Sequence, residues 1–381
     1  MTKNIVAEPF PPGEFIQDEL EARNWKQVDL AKIMGVTNKV VNQLVQNKIR
    51  VTTKRAQQLA VAFSSKPEEW LKLQMLYDLA ISQLPPDEKG ERKSRLWRLA
   101  PVSDMMKRGW LSETENIDFL EAQVKQCFGN KDVSTSTPVP FAARKSTDGT
   151  ELTKEQKTWF QRSFHLAKSM HIDTAYSRGQ TTWNSLFEDL SNLLCEPEEI
   201  RHVPNVLMKY GIRFLVVEHL PGSKIDGISF WLNKRAPVVV LSLRYNRIDW
   251  FWFTLCHELA HIYYGDGKVG EVNLDIELVG RGAQATKDKN NEEQRADEFA
   301  GNFLVDPSSL EDFCLRKRRI MSNADIVNFA RRIEVHPGIV VGQLQHKNKI
   351  SWSQGREMLV KIRNFITETA LTDGWGQILT I

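Results

Sequence analysis

No stretch of this 381-residue chain approaches the ~18 uninterrupted apolar residues of a membrane span, so a helical membrane protein is excluded as a class. Cysteine is scarce: Cys127, Cys195, Cys256 and Cys314 are far apart, with no C-x-x-C pair among them. Neither a disulfide framework nor a cysteine-ligated zinc site is indicated, and the four read as small buried apolar residues. Met1 to Phe10 lacks the apolar core of a signal peptide, and a cytoplasmic location with no membrane partner is the expectation. A net charge of +3 gives no strong sign to the whole, and 41% apolar with 26% charged residues is the balance of a globular protein. The length predicts more than one domain, each large enough for its own core.

What is present is unevenly distributed. Between Lys26 and Lys66 eight basic residues (Lys26, Lys32, Lys39, Lys48, Arg50, Lys54, Arg55, Lys66) face one acid, Asp29, a local charge of +7 suited to phosphate. Residues 13–80 read as short helices with apolar residues three and four apart. Phe15, Ile16 and Leu20 lie in the first, Leu30, Ile33 and Met34 in the second, Val40, Val41 and Leu44 in the third, and Leu59, Ala60 and Phe63 in the fourth. A fifth helix should start near Pro67 and bury Trp70, Leu71 and Leu73 or Tyr77 before Pro85-Pro86 stops it. Residues 91–128 look helical again, and the polar stretch 129–140 has the composition of a linker. Helical patterns return at 153–171, 181–194 and 198–210, followed by three β-rich runs, Ile212 to Glu218, Gly227 to Leu232 and Pro237 to Leu243. The expected division is therefore 1–80, all-α; 81–150, a helical connector and linker; and 151–381, α+β with a small sheet. Asp325 to Leu344 loosely echoes the rhythm of the N-terminal helices, which raises a second helix pair of the same kind.

Gln27 to Asn47 fits two helices joined by a tight turn, with the second presented to a DNA major groove. Leu30, Ala31 and Met34 form the inner face of the first helix, Gly35 the turn, and Val36, Val41 and Leu44 the inner face of the second. Thr37 is placed to cap that second helix through its hydroxyl. Asn38, Lys39, Asn42 and Gln43 then point outward, where amides suit adenine edges and Lys39 suits guanine or phosphate. Gln27 and Lys48, at the two ends, suit backbone phosphates. A helical bundle used for protein contact is the alternative reading of the same spacing. Pro12-Gly13-Glu14-Phe15-Ile16, Gln27-Val28-Asp29-Leu30-Ala31 and Gly35-Val36-Thr37 resemble the XRE/HigA-like antitoxin repressors of lambda-repressor-like fold over roughly residues 8–80. The resemblance implies a homodimer on double-stranded operator DNA, and a cognate toxin as one partner. Asn47 stands where many relatives have glycine after the second helix, and asparagine tolerates that left-handed backbone.

The third feature is His257-Glu258-Leu259-Ala260-His261. On a helix, residues four apart share a face, so both imidazoles can reach one metal ion. Glu258, offset by one residue, can take a proton from water activated there without being a ligand. Chance gives roughly 0.01 such motifs in a chain of this composition. The flanks, Asp249 to Leu255 and Ile262 to Tyr264, are apolar nearly all round, as in a helix buried inside a domain. A catalytic zinc needs a third protein ligand, and two segments offer Glu followed four residues later by Asp: Glu271/Asp275 and Glu293/Asp297. Glu293 to Leu304 has helical periodicity, with Ala296, Phe299, Ala300, Phe303 and Leu304 in one stripe, so Glu293 is the expected ligand and Asp297 the residue that orients a histidine. Glu292 is the register-shifted competitor. Cys256 reads as a buried spacer, and nothing in the spacing of His219 or His336 gives either a role.

His257 to His261 followed by Glu293-Gln294-Arg295-Ala296-Asp297-Glu298-Phe299-Ala300 resembles the ImmA/IrrE metallopeptidase family over roughly residues 155–350. The resemblance implies a gluzincin-like α+β fold, Zn2+ held by His257, His261 and Glu293, Glu258 as general base, and a protein or peptide substrate. Ile225-Asp226-Gly227, Ser242-Leu243-Arg244-Tyr245 and His336-Pro337-Gly338-Ile339-Val340-Val341-Gly342 resemble members that carry an N-terminal helix-turn-helix. The combined expectation is a DNA-binding regulator with a zinc-dependent metallopeptidase-like domain. The alternative is a HigA-like antitoxin or repressor whose metal-site domain senses or binds a partner without turnover.

Overall fold

The computed structural model describes residues 10–82, 88–128, 142–145, 152–266, 271–276, 291–317, 321–377 and 379, with side chains outside 142–145 and 271–276. The chain divides into two compact units, Met1–Glu88 and Lys89–Ile381. The linker expected at 129–140 lies outside the described residues.

Among its described residues the first unit is five helices: α1 (Pro12–Ala22), α2 (Gln27–Met34), α3 (Asn38–Val45), α4 (Thr53–Phe63) and α5 (Pro67–Ile81). Their apolar faces meet in one core of Ile16, Leu20, Leu30, Met34, Val41, Leu44, Leu59, Phe63 and Trp70. The three-and-four spacing of these residues is what makes each short helix stable, since helices of this length are marginal without a packed face. In α5 the pattern deviates. Leu71 and Leu73 are only partly buried, and Gln74 takes the inner position. Its Oε1 accepts from Val51 N at 2.8 Å and its Nε2 donates to Asp78 at 2.9 Å, so the buried amide ties the loop before α4 to α5.

Asn47, with φ 55°, closes α3. Its side chain also accepts from Gly13 N at 2.8 Å, joining the start of α1 to the end of α3. A Cβ on Gly13 would lie 2.2 Å from Val45 O and 2.6 Å from Leu44 O, so only glycine allows this approach.

The second unit is built around a six-stranded sheet. Before it come α6 (Glu88–Leu99), α7 (Val102–Lys107), α8 (Ile117–Cys127), β1 (Ala142–Lys145), α9 (Lys154–Ser169), α10 (Gln180–Ser191), a 3-10 turn and α11 (Val203–Lys209). Then follow β2 (Arg213–Val217), β3 (Ile225–Trp231), β4 (Pro237–Leu241), α12 (Ile248–Tyr264), β5 (Glu271–Ile276), α13 (Asn291–Leu304), α14 (Pro307–Arg316), α15 (Asn323–Arg332), α16 (Pro337–His346), α17 (Arg363–Thr367) and β6 (Leu371–Asp373). The strand order is β1-β5-β3-β4-β2-β6, mixed, with β3 antiparallel to both neighbours and the remaining pairs parallel.

Strand periodicity sorts the side chains onto two faces. Leu215, Val217, Val238 and Val240 join a core with α6, α7, α8 and α9, whereas Phe214, Val216, Val239 and Leu241 join a second core with α10 to α16. The helices of 88–128 are thus one layer of this unit, where the sequence reading had a connector over 81–150. Leu96, Val102, Met105, Leu120 and Val124 supply an apolar face that has to be buried, and the sheet supplies the surface. The echo of the N-terminal helices at Asp325 to Leu344 forms α15 and α16, but Ile339, Val340, Val341, Gln343, Leu344 and Gln345 are all buried. A helix enclosed in this way has no face to offer a groove. Among the described residues, no helix is long and apolar enough to cross a membrane.

The Gly13 contact yields a test. Gly13→Ala should destabilise the first unit by about 1–3 kcal/mol, because neither backbone carbonyl beside it can move without disturbing the end of α3. Chemical denaturation of the isolated variant and wild-type chains checks this, and equal midpoints would contradict the packing.

Candidate functional site

Helices α2 and α3 form the helix-turn-helix. Asp29 accepts from Lys26 N at 2.9 Å and fixes the start of α2, and Gly35 ends it with φ 64°, a left-handed turn that costs glycine little. The inner faces of the two helices are buried, which leaves Thr37, Asn38, Lys39 and Lys48 exposed and Gln27, Asn42 and Gln43 partly so. Thr37 does occupy the N-cap position of α3, but its hydroxyl makes no capping hydrogen bond, and the residue is exposed. The expected cap is therefore corrected: the extended backbone of Thr37 alone starts the helix. One contact was not foreseen. Asn42 Nδ2 donates to Gln27 Oε1 at 3.3 Å, so the middle of α3 is tied to the start of α2.

The second cluster lies where α12 meets α13. Every residue of α12 from Phe251 to Ile262 is buried, and His257 and Glu258 are fully enclosed. Helix α13 lays Glu293, Ala296, Asp297, Ala300 and Leu304 against it, the two alanines allowing close approach. His257 Nε2 and His261 Nε2 are 3.0 Å apart, and Glu293 lies 3.2 Å from the first and 3.6 Å from the second. Among the described residues, His257, His261 and Glu293 are the group that could hold a metal ion. Asp297 Oδ1 is 3.0 Å from His257 Nδ1. Glu292, the competitor, is exposed. Glu271 and Asp275 lie on β5, whose side chains are outside the described part.

Sequence reasoning missed the partner of the second histidine. Asp266 Oδ2 is 3.1 Å from His261 Nδ1, and Arg295 pairs with the other Asp266 oxygen. Burial works against the Asp266 charge, but the bonds from His261 and Arg295 outweigh it and hold its carboxyl below the usual value. The signal was available in principle, since two buried histidines with converging Nε2 atoms need two Nδ1 partners and only Asp297 had been found. Gly227 of β3 was also missed as a spatial requirement. A Cβ there would lie 2.5 Å from Glu258 Oε1 and 2.9 Å from Thr254, so glycine in the sheet makes the room that the Glu258 carboxylate occupies.

Cys256 is buried, and desolvation pushes its thiol far above the ordinary value, which keeps it neutral and inert. His336 Nδ1 accepts from Gly338 N at 3.0 Å and caps α16. His219 is held below its ordinary pKa by burial.

Comparison with known proteins adds to this geometry. A helix-turn-helix family model matches residues 16–71, and the IrrE N-terminal-like domain model matches residues 208–344. An uncharacterized HTH-type transcriptional regulator of Haemophilus influenzae is 40% identical over 76 residues, 20% of this chain and 71% of that protein. Virulence-associated protein A' of Dichelobacter nodosus is 32% identical over 81 residues, 21% of this chain and 70% of its own. An addiction module antidote protein of the HigA family from Coxiella burnetii is 27% identical to the part it aligns with, covering 23% of this chain and 94% of that one, at a TM-score of 0.20. The chain belongs to the HTH-type transcriptional regulators, as a DNA-binding regulator with an XRE-type helix-turn-helix at its N-terminus and an IrrE-like domain towards its C-terminus.

Proposed function

We propose that the IrrE-like half of this regulator is a zinc-dependent peptidase domain, with His257, His261 and Glu293 as the ligands and Glu258 as the general base. The observation that carries the reading is the set of ligand-atom separations. Asp297 lies 3.0 Å from His257 Nδ1 and Asp266 3.1 Å from His261 Nδ1, so a carboxylate on the Nδ1 side of each ring favours the tautomer that leaves Nε2 as an acceptor. The two Nε2 atoms, 3.0 Å apart, then converge with the Glu293 carboxylate, whose Oε2 is 3.2 Å from His257 Nε2 and whose Oε1 is 3.6 Å from His261 Nε2. With the ring protons on Nδ1, such a set of lone pairs repels itself unless a cation lies among its members. A tetrahedral site with metal–ligand bonds of ~2.0–2.1 Å has ligand–ligand edges of ~3.3 Å, so the residues present fit zinc.

Zinc held by His257, His261 and Glu293 would supply Lewis acidity to a peptide carbonyl and to a water molecule. The other steps fall to the chain. Glu258 takes a proton from the attacking water and returns it to the amine nitrogen of the departing peptide half. Asp297 and Asp266 hold the two imidazoles in one tautomer and orientation. The apolar shell of α12, with Phe251, Leu255 and Leu259 fully or nearly fully buried, excludes bulk water. A second reading, an antitoxin or sensor that holds metal without turnover, is favoured by the complete burial of Glu258.

On DNA, the reading is a homodimer on operator DNA, with Asn38, Lys39, Asn42 and Gln43 at base edges and Gln27, Thr37 and Lys48 at the backbone. The exposed face of α3 supports the first set, and the +7 charge of this region supports the second.

Three tests follow from these assignments. Lys39→Ala and Asn42→Ala should each weaken operator binding by ~1–3 kcal/mol in fluorescence anisotropy at fixed salt, and Asn42→Ala also frees Gln27. Wild-type affinity in both would remove α3 from the groove. Purified protein should carry about one zinc per chain by elemental analysis. His261→Ala and Glu293→Ala should lose it, Asp266→Ala should lower zinc affinity by about 10–100-fold, and Glu271→Ala should keep it. Full occupancy in Glu293→Ala would mean another residue is the third ligand. Glu258→Gln separates the two readings: it should keep zinc and operator affinity but fail to respond to the inducing condition in a reporter strain. A fully responsive Glu258→Gln would leave the sensor reading standing.

A further inference from the structure

On the face of the sheet turned away from α12, the second unit contains a cavity of about 230 Å³ between α8, α9 and Leu379. Trp110 and Phe128 form aromatic walls, and Gln123, Gln161, Arg162 and His165 supply polar atoms. The polar residues on α9 follow a pattern. Thr158, Gln161, Arg162 and His165 are spaced by three, one and three, one stripe of the helix, while Trp159, Phe160, Leu166 and Ala167 pack into the core. An apolar stripe would have sealed this contact. The chain instead keeps a polar stripe that is deeply buried at Thr158 and Gln161, each 3% exposed.

Two amides in this lining are incompletely bonded. Gln161 Nε2 lies 3.0 Å from His165 Nε2, and Gln161 Oε1 is buried with no hydrogen-bond partner among the described residues. Gln123 Oε1 accepts from Ser112 N at 2.7 Å, and Gln123 Nε2 is likewise buried without a partner. Turning the Gln161 amide over exchanges donor for acceptor but leaves one polar atom unpaired, and turning Gln123 over would also lose its bond from Ser112 N. Leaving such groups unpaired costs stability, and native proteins rarely do so without a ligand or an ordered water to bond them.

The charged groups are already matched. Arg162 donates to Asp373 and to the carbonyl of Leu379, and Trp110 Nε1 donates to Asp373 at 3.3 Å. Burial, helped by Lys168 and Arg162, holds His165 below its ordinary pKa and so uncharged. Among the described lining residues, no free cation or anion remains to select a charged ligand.

We propose that this cavity is a binding site for an uncharged, planar molecule of fragment size that carries a neighbouring hydrogen-bond donor and acceptor, as the edge of a lactam or nucleobase does. Gln161 and Gln123 bond its edge, and Trp110 and Phe128 flank its ring. Its volume is below the ~300–1,000 Å³ of drug-sized pockets, which sets the size class. The site is independent of the α12–α13 cluster.

The probes are uracil and nicotinamide, with benzoate as a charged ring of similar size, titrated into the full-length chain by calorimetry and ligand-observed NMR. At least one of the two amides should bind with a Kd of about a millimolar or tighter, and benzoate should bind at least tenfold more weakly. Gln161→Leu should weaken amide binding at least tenfold while the ligand-free protein keeps or raises its Tm, because an unpaired buried amide is replaced by an apolar group of similar shape. If Gln161→Leu does not fold, the unbranched Gln161→Met makes the same comparison. Absence of binding by both amides would mean the cavity holds ordered water only and would overturn the proposal. Equal binding of benzoate, or unchanged amide affinity in the Gln161 variant, would overturn it as well.

Discussion

Helix α12 has to bury ionisable groups in the middle of an apolar segment, and much of the second unit is arranged to make that tolerable. His257, Glu258 and His261 lie among Phe251, Trp252, Leu255, Leu259 and Ile262, where an uncompensated charge or lone pair is expensive. The compensation has to come from other elements. Helix α13 brings Glu293 and Asp297 on the same face as the small residues Ala296 and Ala300, so the carboxylates arrive only because the helices can touch. The turn after α12 brings Asp266, which Arg295 of α13 holds in turn. Strand β3 contributes an empty position, Gly227, where any side chain would collide with Glu258. Removing one member leaves the others buried and unmatched, so the cluster and the packing of α12 stand or fall together.

Much of this was legible in the sequence because the signals were local. Two histidines four apart, a carboxylate pair at helical spacing and three β-rich runs each fit within a few residues of chain; β2 and β4 lie within their runs, and β3 starts two residues before its own. The helix-turn-helix was legible for the same reason, with Gly35 marking the turn and an apolar residue every three or four positions marking each inner face. The structure gathers His257, His261, Glu293 and Asp297 into one place as their spacing suggested.

What escaped was decided by distant partners. Asp266 gains its meaning from the orientation of His261, and Gly227 from a glutamate 31 positions later on another element. Asn47 read as a substitute for glycine, yet its amide reaches back to Gly13 and fastens α1 to α3. Residues 81–150 read as a connector because their helices are short and interrupted by Pro101 and Gly109. Their apolar faces become a core layer only once a sheet is there to receive them. Thr37 shows the converse: a residue of the right type in the right position did not make the bond its type suggests, because backbone geometry sufficed.

The central claim is that two imidazole nitrogens and one carboxylate form a single metal-binding group, which zinc-edge X-ray absorption on the purified full-length chain tests directly. The account predicts a first shell of nitrogen and oxygen at ~2.0–2.1 Å with the outer-shell scattering of two imidazoles and no sulfur, lost in His261→Ala. A sulfur shell at ~2.3 Å would bring a cysteine such as Cys256 into the site, and an absence of bound zinc from protein purified without chelator would remove the metal altogether. Either result would contradict the account.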